Sequence, residues 1–194
     1  MKIVALQQAE ARLKRAKAAL SDMEHAGAFS TLDESWSNFL VAAKLVFAKL
    51  GAGAKGDATS EAWFARVQGE QRSDPLLRFL YQARNAEEHG LDRSIEHAYD
   101  IRVVEGVRLE VDATFEPNGD VTFRSTHDPR KVVHFALKGT PKAITDRRSG
   151  QTFAPPTEHR GSPMTDPSIF GIAHAAVAHL ERLVGDARQL PQRQ

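Results

Sequence analysis

The sequence predicts a mainly α protein (α+β): a helical up-and-down bundle with a small antiparallel β-meander inserted before the last helix. Three observations predict it. Apolar residues recur at 3-4 spacing up to residue 89 and again after residue 168, which is the period of a helix with one buried face. Between them the period drops to two, as in half-buried strands. The first and last helical stripes match, so the simplest packing sets the last helix beside the first two. Residues 1–97 together with 168–190 are read as the bundle, 98–138 as the meander, and 139–167 as an irregular Pro-rich connection.

Leu6, Ala9, Leu13, Ala16, Leu20 and Met23 line the first helix, and Gly27 is its expected stop. The second opens at Thr31-Leu32-Asp33-Glu34, a capping-box pattern. Its apolar stripe runs through Trp36, Phe39, Leu40, Ala43, Val46, Phe47 and Leu50. Gly51 to Gly56 reads as a flexible loop. A short third helix is expected from Ser60 to about Gln68, with Trp63, Phe64 and Val67 inward. The fourth begins at Asp74-Pro75, an Asp cap followed by Pro where a missing N–H costs nothing. Leu76, Leu77, Phe79, Leu80 and Tyr81 are assigned to its buried side, and it ends at His89-Gly90.

Val107, Leu109, Val111, Ala113 and Phe115 then alternate with polar residues, the turn 116–120 follows, and Val121 and Phe123 resume the alternation. Lys131 to Leu137 is the third strand expected. Residues 139–167 hold five prolines and little periodicity. Asp166-Pro167 opens the last helix, lined by Phe170, Ala173, Val177, Leu180, Val184 and Ala187, and the tail from Pro191 to Gln194 reads as frayed.

Composition narrows the functions. The chain has 194 residues, enough for one domain or one domain with an insertion. It has no cysteine, which excludes disulfides, thiolate zinc sites, iron–sulfur clusters and a cysteine nucleophile. No apolar run is long enough for a membrane span, and the run at the start is too short for a signal-peptide core, so the cytoplasm is the expected compartment. Lys plus Arg is 26 and Asp plus Glu 25, a net charge of +1, which is no bulk electrostatic footprint for nucleic acid.

One segment looks like chemistry: Arg84-Asn85-Ala86-Glu87-Glu88-His89. Arg84 falls on the stripe of Leu77, Leu80, Tyr81 and Glu88, where an arginine is costly unless it is paired or lines a cavity. Asn85 and His89 share a neighbouring face, one turn apart. An arginine, an amide and a histidine supply an anion clamp, an orienting hydrogen bond and a proton shuttle. The plainer reading is an i,i+4 ion pair of Arg84 with Glu88 and a helix ending at His89.

Arg84, Asn85 and His89 resemble the signature of the HEPN superfamily, an Arg followed after four to six residues by His, often with a polar residue directly after the Arg. The family is a bundle of four or five helices with this motif near the end of a core helix. The resemblance covers the bundle order and these six residues, not the meander. Many members are metal-independent endoribonucleases, often toxins, whose sites are assembled across a homodimer. The resemblance therefore implies His89 as general acid or base, Arg84 as the stabiliser of phosphorane charge, and Asn85 as the group that holds the histidine or the phosphate. Glu88 would orient Arg84. One branch of toxins carries a Tyr two residues after the His; Leu91 stands there, which argues against that branch. Other members only bind, so the alternative is a non-catalytic module for a protein partner, such as an antitoxin, or for a small ligand.

Residues 84–112 carry a net charge of −4 and residues 124–148 a net of +5. If the meander and the loop after it fold over the motif, Arg124, Arg130, Lys131, Arg147 and Arg148 are the expected phosphate contacts; a solvated strand edge is the plainer reading. Glu88, His89, Asp92, Glu96 and His97 form no zinc-helix pattern, and no metal or cofactor is expected. His174 and His179 are read as surface or interface histidines, and Trp36 and Trp63 as core.

Overall fold

The computed structural model describes residues 1–89, 93–103, 111–118, 120–125, 133–146 and 148–194. Five helices make the bundle: α1 (Ile3–Glu24), α2 (Phe29–Ala54), α3 (Ala58–Ser73), α4 (Pro75–His89) and α5 (Ile169–Gln189). The predicted class holds, a mainly α bundle with a small antiparallel insertion before its last helix. The α1 stripe is buried as expected, from Leu6 to Met23. So is that of α5, where Ile169, Ile172, Ala176 and Leu183 join Ala173, Val177, Leu180, Val184 and Ala187. α5 packs against both α1 and α2, and α4 lies against α2. Trp36, Phe39, Leu76, Phe79 and Ile172 are wholly or almost wholly buried at the centre.

Several boundaries differ from the expectation, each for a physical reason. Gly51 to Ala54 is the last turn of α2, not a loop. Glycine is used there because helices approach closely. A Cβ on Gly53 would meet the Met1 sulfur at 2.6 Å and the Ala5 Cβ at 2.7 Å. Nor does the Thr31 capping box form. α2 starts two residues earlier at Phe29, with Ala28 as an N-cap that offers no side chain. Asp120 supplies the cap from across the insertion. Its carboxylate accepts the Ser30 N–H and hydroxyl, both at 2.9 Å. α3 runs further at both ends than expected, capped by Asp57, which accepts the Ser60 N–H. α5 begins at Ile169 behind a Ser168 cap, while Asp166 accepts the Ser168 N–H. The tail is not frayed: Lys2 and Arg193 form a parallel bridge, and the Ile3 N–H donates to the Arg193 carbonyl at 2.9 Å.

The insertion is paired differently from a sequential meander. β1 (Ile95–Val103) pairs antiparallel with β4 (Val133–Pro141), and β2 (Val111–Phe115) with β3 (Val121–Ser125). Ile95 faces Pro141, Val103 faces Val133, and Val111 faces Ser125, so partner numbers total 236 in both pairs. The two pairs keep one register, with β2–β3 nested between β1 and β4. β1 was not expected as a strand. Of the strand expected over Val107–Phe115, the part from Val111 is β2; its first part, and the start of the strand expected from Lys131, lie outside the described residues. Residues 139–167 are less irregular than their prolines imply. They include the end of β4 and two short hairpins, β5 (Ile144–Thr145) with β6 (Thr152–Phe153) and β7 (Glu158–His159) with β8 (Ser162–Pro163).

A valine at Gly53 places a branched side chain where α1 and α2 leave no room. Gly53→Val is expected to destabilise the fold by about 1–3 kcal/mol, the usual cost of overpacking. Urea unfolding checks it; an unchanged midpoint would show that the helices are not in close contact there.

Candidate functional site

The site is built on the C-terminal half of α4. Three groups hold that half in place. The Trp36 indole N–H on α2 donates to the Ser94 hydroxyl at 2.8 Å. That hydroxyl donates to Glu87 Oε1 at 2.6 Å, and the Ser94 N–H donates to the same oxygen at 2.9 Å. Glu87, inside the six-residue motif, is therefore a structural group that ties the end of α4 to the start of β1.

Beside it lies a cleft of about 820 Å³. Arg84 and Asn85 line it from α4, Lys44 from α2, Arg93 from the approach to β1, Lys142 from the exit of β4, and Arg148 from the turn after β5. Five cations from separate segments thus border one concavity, with Asp146 the carboxylate among its lining residues. Residues 142–146 and 148, after β4, border the same concavity as Arg84 and Asn85. Of the five basic residues expected there, Arg148 borders the cleft. Arg124 sits in β3 at the register position opposite Asp112. Arg130, Lys131 and Arg147 lie outside the described residues. Lys44, Arg93 and Lys142 were missed: each stands alone in its own segment, and only the fold assembles them.

The cations are not equivalent. Arg84 is mostly buried and forms an ion pair with Glu88 across one helical turn. Its guanidinium also donates to the Asn85 side-chain oxygen at 3.3 Å, while its buried Nε has no hydrogen-bond partner among the described residues. Asn85 is thus engaged by Arg84. The helix continues to His89, whose side chain lies outside the described residues. Arg93 pairs with Asp33 at 3.1 Å and lies over the Phe29 ring. Burial pushes the Asp33 carboxyl above its usual range, against the pull of Arg93. Lys142 pairs with the exposed Glu96 at 3.2 Å. Lys44 and Arg148 make no ion pair among the described residues.

The other end of α4 carries a second cluster that the sequence did not reveal. Asp74 is buried and caps the helix by accepting the Leu77 N–H at 3.0 Å. It also accepts from the His159 ring at 3.0 Å and from the Arg160 N–H at 2.7 Å. Burial alone would raise this carboxyl, but those three hydrogen bonds outweigh it and hold it below the usual carboxylate range. Arg160 takes a φ of 53° at the β7–β8 turn, a conformation its bond to Asp74 helps to hold. His179 packs edge-on to His159, with ring centroids 5.0 Å apart, and stacks on Phe47. It is a core residue of α5, not a surface or interface histidine; His174 is the exposed one, paired with Glu24. Desolvation lowers the His179 pKa to about 4, opposed by Glu70 and reinforced by Arg182 and His159. Glu70 itself is bound by Arg160 at 2.9 Å and by Arg182 at 3.1 Å.

No family model, no curated protein and no solved structure matches the chain. Among the described residues, no helix is long and apolar enough to cross a membrane.

Two predictions follow from these networks. Ser94→Ala removes the bridge and leaves the buried Trp36 N–H without its partner, while Glu87 keeps the backbone N–H of residue 94, so about 1–3 kcal/mol of stability is expected to be lost. A denaturation midpoint equal to that of wild type would contradict it. The second concerns pH. Unfolded His179 takes up a proton near 6.5, whereas the folded ring resists until about 4. Stability is therefore full above 6.5 and falls as pH drops through that window, by on the order of 3 kcal/mol. The depressed Asp74 works in the same direction, losing its contribution as pH falls below the normal carboxylate value. His179→Leu should flatten the difference between melts at pH 7 and pH 5; equal slopes in both proteins would refute the assignment.

Proposed function

We propose that this chain is a HEPN-like protein that binds RNA in the cleft beside α4. The observation that supports the reading is the convergence of Lys44, Arg84, Arg93, Lys142 and Arg148 on one concavity in a chain of nearly neutral net charge. A polyanion with regularly spaced charges suits cations spread over such a surface, and phosphate contacts supply most of the sequence-independent affinity of RNA-binding proteins. Lys44 and Arg148, which make no ion pair among the described residues, can meet phosphate directly. Arg84 has a reason to exchange its partner: its unsatisfied Nε is costly where it stands, and a phosphate oxygen can take the place of Glu88.

A second reading, metal-independent endoribonuclease activity, is favoured because Arg84 and Asn85 both border the cleft. In that reading His89 moves the proton of a ribose 2′-hydroxyl and Arg84 stabilises the charge that develops on phosphorus. Asn85 orients the phosphate, and Glu88 holds Arg84 until substrate arrives. In-line cleavage needs both a base and an acid, which a homodimer doubles from one His89 per chain. The cytoplasm, where RNA substrates are plentiful, is the compartment we assign.

Binding to labelled RNA in EDTA tests the proposal. Wild type should bind with strong salt dependence, and the double variant Lys44→Glu, Arg148→Glu should weaken binding at least tenfold, because each lost charge-assisted contact is worth about 1.5–3 kcal/mol. Unchanged affinity in that variant would remove the cleft from the account. Cleavage that survives EDTA and disappears in Arg84→Ala and His89→Ala establishes the nuclease reading. Tight binding without cleavage leaves the RNA-binding reading alone.

A further inference from the structure

We infer that Tyr81 is a stacking platform for an unpaired base, so that the cleft selects single-stranded RNA over duplex; this rests on the RNA reading above. Tyr81 was expected in the core, yet it is 47% exposed. Among the described residues its ring stacks on no other ring, bears no cation and its hydroxyl makes no hydrogen bond. That sets it apart from Phe47, which lines the same recess and stacks on His179.

Its location gives the free ring a use. Tyr81 and Lys44 border the basic cleft and also an apolar recess between α2, α4 and α5, lined by Leu40, Phe47, Leu80 and Leu180. The recess holds only about 30 Å³, room for a water molecule and not for a heterocycle. A base therefore cannot enter it. It can lie across the mouth, one face on the Tyr81 ring and its edge over the apolar rim. Asn85 stands four residues further along α4, about 6 Å up the helix, and Arg84 beside it. That separation is what a ribose bridges between a base and its phosphate. Gln82, which also lines the cleft, brings an amide toward the edge of a base seated there. A duplex keeps its bases stacked on each other and offers no free face, so only an unpaired strand can use the ring and the cations together.

The test uses the full chain and three probes of equal length: a single RNA strand 2′-O-methylated so that it cannot be cleaved, the same backbone without bases, and a 2′-O-methylated duplex. The natural strand should bind about 5- to 100-fold more tightly than the abasic one, the usual range for base–aromatic stacking, and the duplex should follow the abasic strand. Tyr81→Ala should erase that difference and leave abasic affinity unchanged. Tyr81→Phe should preserve it, and both variants should melt near the wild-type temperature, because the side chain is half exposed. Lys44→Glu should weaken all three probes. Equal affinity for natural and abasic strands, with Lys44→Glu still weakening both, overturns the stacking role and leaves the cleft intact. A Tyr81→Ala that weakens every probe alike shows a structural role only and also overturns it. No binding of any probe by wild type overturns this inference and the RNA reading together.

Discussion

The chain of hydrogen bonds from the Trp36 indole through the Ser94 hydroxyl to Glu87 is the constraint on which the candidate site depends. Trp36 is fully buried, so its N–H needs a partner inside the protein. Ser94, just before β1, supplies it, and Glu87 accepts from the Ser94 hydroxyl and N–H from the end of α4. Satisfying one indole thereby ties the last turn of α4, the helix that carries Arg84 and Asn85, to the start of β1 beside α2. Arg93, next to Ser94 in the chain, pairs with Asp33, so one cation of the cleft stands beside the same anchor.

Electrostatics explains why a nearly neutral protein can own a basic cleft. Three of the five cations lean on carboxylates at or outside the rim: Glu88, Asp33 and Glu96. These pairs balance charge and hold the long side chains in place. An exposed pair such as Lys142–Glu96 contributes little to stability and is readily exchanged for a ligand. Lys44 and Arg148 complete the set as cations without ion-pair partners among the described residues. A net charge summed over the whole sequence conceals this, because it counts the balancing carboxylates equally with the cations they position.

The helices were legible in the sequence because each carries a stripe of period 3.6 long enough to outvote local exceptions. The exceptions were settled by tertiary contacts. Gly51 and Gly53 read as a flexible loop because composition cannot distinguish glycines that bend a chain from glycines that admit a neighbour. The N-terminus of α2 was misplaced because its cap, Asp120, lies ninety residues away from Ser30 in sequence. β1 carries an alternation of Ile95, Tyr99, Ile101 and Val103 with Glu96, Asp100 and Arg102, broken by His97 on one face and Ala98 on the other. Within the site, Arg84 and Asn85 were found because they are adjacent on one helix. Lys44, Arg93 and Lys142 were not, because no local pattern marks three separate residues that only folding brings together. His179 was misread for a related reason: it shares a helix with the exposed His174, and only the packing of Phe47 and the β7–β8 hairpin tells the two apart.

The two ends of α4 are held by unlike means. At its start, Asp74 is locked by the Leu77 and Arg160 N–H groups and by His159, so the β7–β8 hairpin acts as a clasp on the first turn. At its end, Glu87 is held through Ser94 and Trp36. Between these two anchors the helix has little freedom to bend or shift. Tyr81, Arg84 and Asn85 all lie in that interval, on a scaffold already ordered before any ligand arrives. A ligand that binds there need not organise the backbone, and its affinity is not reduced by the entropy of ordering a loop. The adjustable parts of the site are the side chains at its rim. A rigid floor beneath adjustable cations suits a ligand recognised by charge and ring stacking, whose contacts repeat along a strand and require no single fixed register.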